Sequence, residues 1–190
     1  MSYTKETFVN NYNSGTLVDK DGFGWTPIIY AAFYNKYEIL EDLLQTQKYS
    51  IDAVNCHGRS ALMMAAKNNC IKALEILIRH GAQLDLRDEM GATALFFAVR
   101  MNSIECVKML IQAGLDVNIC DKTGNSAVFS AARLNNVECV SLLINHGANV
   151  QHVDHFGMSV LDYVDMANTA IDGPGRYDEV KKLLLQNKGE

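Results

Sequence analysis

Two kinds of apolar run alternate along this chain. One is short and almost unbroken, as in Ala94-Leu-Phe-Phe-Ala-Val and Ala127-Val-Phe-Ser-Ala-Ala. The other spaces its apolar residues at helical intervals, as in Leu74, Leu77 and Ile78. Positions three and four apart share one face of a helix, so the second kind predicts an amphipathic helix with one face packed inward. The first kind predicts a short helix. Its closing Ala pairs (Ala31-Ala32, Ala65-Ala66, Ala131-Ala132) let a neighbouring helix approach closely. Polar clusters separate the runs, and the alternation predicts helix pairs joined by turns.

The pairs recur at a fixed period. Glycines at 24, 58, 91, 124 and 157 stand 34, 33, 33 and 33 residues apart. Around them one phrase repeats, most clearly Asp88-Glu-Met-Gly-Ala-Thr-Ala-Leu-Phe-Phe-Ala-Val and Asp121-Lys-Thr-Gly-Asn-Ser-Ala-Val-Phe-Ser-Ala-Ala. A second phrase follows, Ile104-Glu-Cys-Val-Lys-Met-Leu-Ile and Val137-Glu-Cys-Val-Ser-Leu-Leu-Ile, and Gly81-Ala82, Gly114-Leu115 or Gly147-Ala148 closes the unit. Such a period signals repeats that bury their apolar faces only by stacking.

The punctuation agrees. Thr26, Ser60, Thr93, Ser126 and Ser159 precede the first helices, where a hydroxyl caps an orphan N–H. Pro27 occupies a first helical position, where its missing donor costs nothing. Asn35, Asn69, Asn102, Asn135 and Asn168 follow the first helices, and Asn tolerates the left-handed conformation of a helix end better than most residues. Residues 4–14 read as a capping helix with Phe8 and Val9 inward. Tyr177 to Gln186 reads as the final helix, with Lys181 and Lys182 for its outer face.

These phrases resemble the ankyrin repeat, with its D-x-x-G-x-T-P-L-H-x-A-A, E-I-V-x-x-L-L and G-A-D-V-N signature. The resemblance covers roughly residues 21 to 188 and implies an all-α solenoid of stacked helix–turn–helix units with β-hairpin-like finger turns. Residues 1–20 form the cap and lead-in. The repeats run about 21–54, 55–87, 88–120, 121–153 and 154–188, the last with an insertion near 168–176. One feature is absent: the His of T-P-L-H is replaced by Ile29, Met63, Phe96, Phe129 and Asp162, so packing is expected where the family has a polar bridge between repeats.

Composition narrows the class. The chain has 190 residues, 48% hydrophobic and 21% charged, with a net charge of −5. An acidic balance argues against nucleic acid, which is bound through clustered Lys and Arg. No run approaches the ~18 apolar residues of a membrane span, and the start carries no signal-peptide pattern. Five cysteines, an odd number set within apolar patterns, read as reduced thiols of a cytoplasmic or nuclear protein. Met1 and a charged tail suggest a complete small protein, and a monomer is expected.

Candidate chemistry is sparse. Gly173-Pro174-Gly175 lacks the Lys-Ser/Thr of a phosphate loop and reads as a turn. His152, Asp154 and His155 fall at a repeat junction without the spacing of a metal site. Cys106 and Cys139 share one repeat position and read as core residues. No cofactor, metal or catalytic residue is expected.

The family usually holds a partner protein across the concave surface made by finger tips and first helices. The resemblance therefore implies partner-binding positions at Phe23, Trp25, Phe33, Tyr34, Arg59, Lys67, Met90, Arg100, Met101, Arg133 and Leu134. Trp25, Phe33 and Tyr34 form an aromatic group that serves either as an interface anchor or as packing for the N-terminal cap. Lys67, Arg100 and Arg133 recur at one repeat position. They form either a cationic row for an acidic or phosphorylated segment or an ordinary solvated face. The stretch Leu110 to Asn118 also resembles the motif modified by oxygen-dependent asparaginyl hydroxylases in ankyrin arrays; otherwise Asn118 serves only the hairpin. The expected function is a non-catalytic adaptor or scaffold. The alternatives are an inhibitory subunit of a kinase or transcription factor, an assembly chaperone, or the ankyrin part of a larger enzyme.

Overall fold

A computed structural model describes residues 4–17, 19–169 and 175–187. A capping helix, α1 (Lys5–Asn13), precedes five helix pairs: α2 (Pro27–Phe33) with α3 (Tyr37–Gln45), α4 (Ala61–Lys67) with α5 (Ile71–Arg79), α6 (Ala94–Arg100) with α7 (Ile104–Gln112), α8 (Ala127–Arg133) with α9 (Val137–Asn145), and α10 (Val160–Thr169) with α11 (Asp178–Gln186). The first helices stack on one another in the order α2, α4, α6, α8, α10, and the second helices form a parallel layer behind them. One core runs the length of the stack. It includes Phe8 of the cap, Leu40, Leu74, Leu77, Leu110, Val140 and Leu184, all buried.

The expected finger turns are present, as isolated antiparallel bridges Val54–Ser60, Cys120–Ser126 and Val153–Ser159. Each finger is built by one acid or amide. Oδ1 of Asp21, Asn55, Asp88, Asp121 and Asp154 accepts the backbone N–H groups two and four residues on, at 2.8–3.1 Å. This use of a short polar side chain fixes the turn before the helix begins. The glycine three residues later adopts positive φ, which a Cβ would oppose.

Fingers are joined to one another along the whole stack. Cys56 N donates to Phe23 O at 2.9 Å, Glu89 N to His57 O at 3.1 Å, Lys122 N to Met90 O at 2.9 Å, and His155 N to Thr123 O at 3.0 Å. Gly91 and Gly124 permit this close approach. A Cβ at Gly91 would lie 2.9 Å from Lys122 N, and one at Gly124 would lie 2.9 Å from His155 N.

Three expectations need correction. Thr26 and Ser60 cap their helices through the side chain, each at 3.4 Å, but Thr93 and Ser126 do not. There the first turn tightens instead, with Phe96 N on Thr93 O and Phe129 N on Ser126 O, both 3.1 Å. Ser159 forms a reciprocal cap: Asp162 N donates to Ser159 Oγ at 3.3 Å and Ser159 N to Asp162 Oδ2 at 2.8 Å. Asp162 therefore stands in the His position as a cap.

The second correction concerns the asparagines. Asn35, Asn69, Asn102 and Asn135 have φ of 52–55°, but Asn168 lies inside α10. That helix has 10 residues where α2, α4, α6 and α8 have 7, so its end falls later. Asn168 Oδ1 instead accepts Tyr177 N at 3.0 Å and ties the last two helices together. The core of the expected insertion, residues 170–174, lies outside the described residues, as does most of Gly173-Pro174-Gly175.

The packing expected at the missing histidine is present, and the third correction is to Lys181. Ile29, Met63, Phe96 and Phe129 are buried, so packing does replace the histidine. Polar bridges between repeats nevertheless persist elsewhere. Cys106 Sγ donates to Asn69 Oδ1 at 3.5 Å, Cys139 Sγ to Asn102 Oδ1 at 3.6 Å, and Asn136 Nδ2 to Val99 O at 3.2 Å. Lys181, expected on the outer face, is half-buried and paired with Asp165 at 2.7 Å.

Candidate protein-interaction face

The finger tips and first helices present a face whose middle is hollow. A cavity of about 410 Å³ lies over the second, third and fourth repeats. It brings together Arg59, Met90, Arg100, Arg133 and Leu134 from the positions singled out in the sequence. Met90 is 60% exposed and Leu134 49%, beside the nearly buried rings of Phe96 and Phe97.

Its charges are unequal in freedom. Arg59 lies 5.3 Å above the Phe97 ring and 3.4 Å from Asp88, so this guanidinium is already partnered within the fold. Arg100 and Arg133 end their helices exposed, and among the described residues neither has an ion-pair partner. A cation at a helix C-terminus is favoured by the helix dipole, which explains their placement without a carboxylate. Lys67 ends α4 in the same way, half-buried and outside the cavity. Met101, 57% exposed, also lies outside it.

The aromatic group sits at the other end, on the first repeat. Phe23 is 68% exposed. Trp25 packs 4.9 Å from Tyr30 and edge-on to Phe33 at 5.2 Å, and Phe33 lies 4.9 Å from Tyr34. Tyr34 in turn lies 6.5 Å from Phe8 of the cap. Trp25, Phe33 and Tyr34 are thus half-buried in a ring cluster that reaches the capping helix, with an edge open to solvent.

Asn118 is an inter-repeat clamp. Its Nδ2 donates to Gly147 O at 3.0 Å and its Oδ1 accepts Asn149 N at 2.8 Å. The residues of the expected metal-free junction are likewise used structurally. His152 Nε2 lies 2.8 Å from Gly124 O and 3.4 Å from Cys120 Sγ, and Asp154 builds its finger. Burial pushes the Cys106 and Cys139 thiols up to about 11, so both are protonated at neutral pH.

Asp88, Asp121 and Ser130 also line the cavity and were not among the expected positions. A signal for them exists in the repeat register. The column Tyr30, Met64, Phe97, Ser130, Tyr163 has its one small member at Ser130, where the face is hollow.

Comparison with known families decides the class. A family model described as ankyrin repeats (3 copies) matches residues 5–88 and 28–121, and one described as ankyrin repeats (many copies) matches 101–144 and 128–164. The chain belongs to the ankyrin-repeat family. Its stacked pairs, without a sheet among the described residues, form the all-α solenoid of that family. Ankyrin repeats are generally protein-interaction modules and are typically non-catalytic. The match ends at residue 164, within α10, the longer first helix of the fifth pair. No curated protein matches the chain. No helix among the described residues is long and apolar enough to cross a membrane.

Proposed function

We propose that this ankyrin stack is a non-catalytic adaptor or scaffold whose tip-and-first-helix face holds an acidic or phosphorylated segment of a partner protein. The observation that carries the reading is the pair Arg100 and Arg133, exposed, one repeat apart and without an acidic partner among the described residues, beside the apolar wall of Met90, Phe97 and Leu134. A carboxylate or phosphate laid there gains charge-assisted hydrogen bonds, while the apolar wall excludes part of the competing water. Lys67 extends the row toward the first repeat. Phe23, Trp25, Phe33 and Tyr34 offer a second anchor, of the residue types enriched in interface hot spots. The protonated, buried thiols and the structurally engaged histidine support a binding role over a nucleophilic one. With five free cysteines, we place the protein in the cytosol or nucleus, acting as a monomer.

The test is a comparison of wild type with the double variant Arg100→Glu/Arg133→Glu. Partner capture from native extract should fall about tenfold at low salt and lose most of its salt dependence, because both cations and their counterion release are removed. Equal capture by the two proteins, with equal salt dependence, would sink the reading.

A further inference from the structure

All five finger residues spend Oδ1 on their own turn, but the second oxygens of the four acids meet different fates. In the first and last repeats a tyrosine nine residues on closes the site: Tyr30 Oη donates to Asp21 Oδ2 at 2.5 Å, and Tyr163 Oη to Asp154 Oδ2 at 2.6 Å. In the third repeat Arg59 Nε reaches Asp88 Oδ2 at 3.4 Å. The fourth repeat has Ser130 in the tyrosine column. Among the described residues, Asp121 Oδ2 receives neither a hydrogen bond nor an ion pair. The cavity of about 410 Å³ opens there, lined by both Asp121 and Ser130.

We propose that this cavity receives a tyrosine side chain of the partner, its phenol donating to Asp121 Oδ2 as Tyr30 and Tyr163 donate to their own finger acids. The inference rests on the reading of this face as protein-binding and names the residue that it selects. The surroundings repeat as well as the acceptor. Tyr163 packs edge-on to Phe129 of the preceding repeat at 5.9 Å. Phe96, one period before Phe129, lines the cavity in the same relation to position 130. Aromatic rings favour such edge contacts beyond the area they bury.

Among the side chains that could donate to Asp121, charge disfavours Lys and Arg, and the edge contact with Phe96 favours a ring over the smaller neutral donors. The walls carry Arg100 and Arg133, with Arg59 held by Asp88, so an incoming Lys or Arg meets like charge. A neutral phenol brings the donor without that repulsion, and acidic neighbours on the same segment then fall to Arg100 and Arg133. Phosphorylation of the tyrosine removes the donor and sets a dianion against Asp121.

Two arms test this on the full chain. The first uses no ligand: Ser130→Tyr and Ser130→Phe are melted in the wild-type and Asp121→Asn backgrounds. Asn55 already builds a finger with an amide, so Asp121→Asn keeps the turn while removing the free carboxylate oxygen. Ser130→Tyr should melt several degrees above Ser130→Phe in the wild-type background and level with it beside Asp121→Asn. The second arm titrates acetyl-Asp-Glu-Tyr-Glu-Asp-amide, its Phe counterpart and its phosphotyrosine counterpart by NMR.

The tyrosine peptide should bind about tenfold more tightly than the Phe peptide, as expected for a hydrogen bond to a charged group. Asp121→Asn should erase that preference, and Ser130→Tyr should block all three peptides. Equal affinity for the Tyr and Phe peptides, a preference that survives Asp121→Asn, or tighter binding of phosphotyrosine overturns the tyrosine site. If both peptides bind equally and both are lost in Arg100→Glu/Arg133→Glu, the acidic-segment reading stands and only the tyrosine falls. If no peptide binds, and Ser130→Tyr melts no higher than Ser130→Phe, both are rejected.

Discussion

At the scale of single residues, two of the left-handed asparagines, Asn69 and Asn102, do two jobs at once. Asn102 holds φ at 52°, and its Oδ1 accepts the thiol of Cys139, which is fully buried. A residue with a Cβ but no carbonyl loses both, at about 1–2 kcal/mol for the left-handed conformation alone. Glycine relieves the conformational cost and loses only the thiol contact. Asn102→Ala should therefore be less stable in urea than wild type by about 1–2 kcal/mol, with Asn102→Gly between them. Equal losses for the two variants would assign the cost to the thiol contact. The choice of Asn over Gly is thus legible in the sequence as a conformational signal. Its bond to a cysteine 37 positions on is not, because that contact exists only once the repeats stack.

At the scale of the element, the last finger rests on the Asp154 carboxylate. Burial works to raise the Asp154 carboxyl, but the Tyr163 hydroxyl and the N–H groups of Met158 and Phe156 outweigh it, and the net effect holds Asp154 below its ordinary 3.8. The same bond, chiefly through the hydrogen bond to Asp154, raises the Tyr163 phenol above its ordinary 10.0. The signs follow from linkage. A lowered carboxyl adds stability that is complete above pH ~4 and is lost as pH falls through the folded-state value. A raised phenol adds stability that is complete below pH ~10 and is lost above it. Melting curves of wild type and Tyr163→Phe should therefore differ most between about pH 5 and 9 and converge at both extremes. A gap independent of pH would show that the ring, not its hydroxyl, carries the contribution. The acid-x-x-Gly phrase made the fingers readable in advance. The partner of each second oxygen was not readable, since it depends on what side chain the register brings nine residues on.

At the scale of the molecule, the repeats are coupled through backbone as well as through the apolar core. Gly81 and Gly91 share φ of +79°, but an added Cβ at Gly81 meets nothing within 4 Å, whereas at Gly91 it lies 2.9 Å from Lys122 N. Gly81→Ala should cost only the local strain of about 1–2 kcal/mol. Gly91→Ala should cost more and broaden the urea transition, because repeat stability depends on nearest-neighbour interfaces. Matched losses and equally sharp transitions would show that the finger contacts do not couple the repeats. The same stacking gathers Arg59, Met90, Arg100, Arg133 and Leu134 around one cavity and leaves Lys67 and the first-repeat aromatics outside it.

The sequence by itself determined the period, the helix pairs, the turns and the register of the cationic row. All of these follow from spacing and backbone preference, which act over a few residues at a time. Tertiary structure alone decided three further points: among the described residues Arg59 has an ion-pair partner while Arg100 and Arg133 have none, Asn168 stays helical, and the fourth repeat carries a cavity over Asp121. Each depends on volumes and distances between neighbouring repeats. A side chain missing from one unit, such as the tyrosine absent at Ser130, becomes a cavity only when the adjoining units close around it.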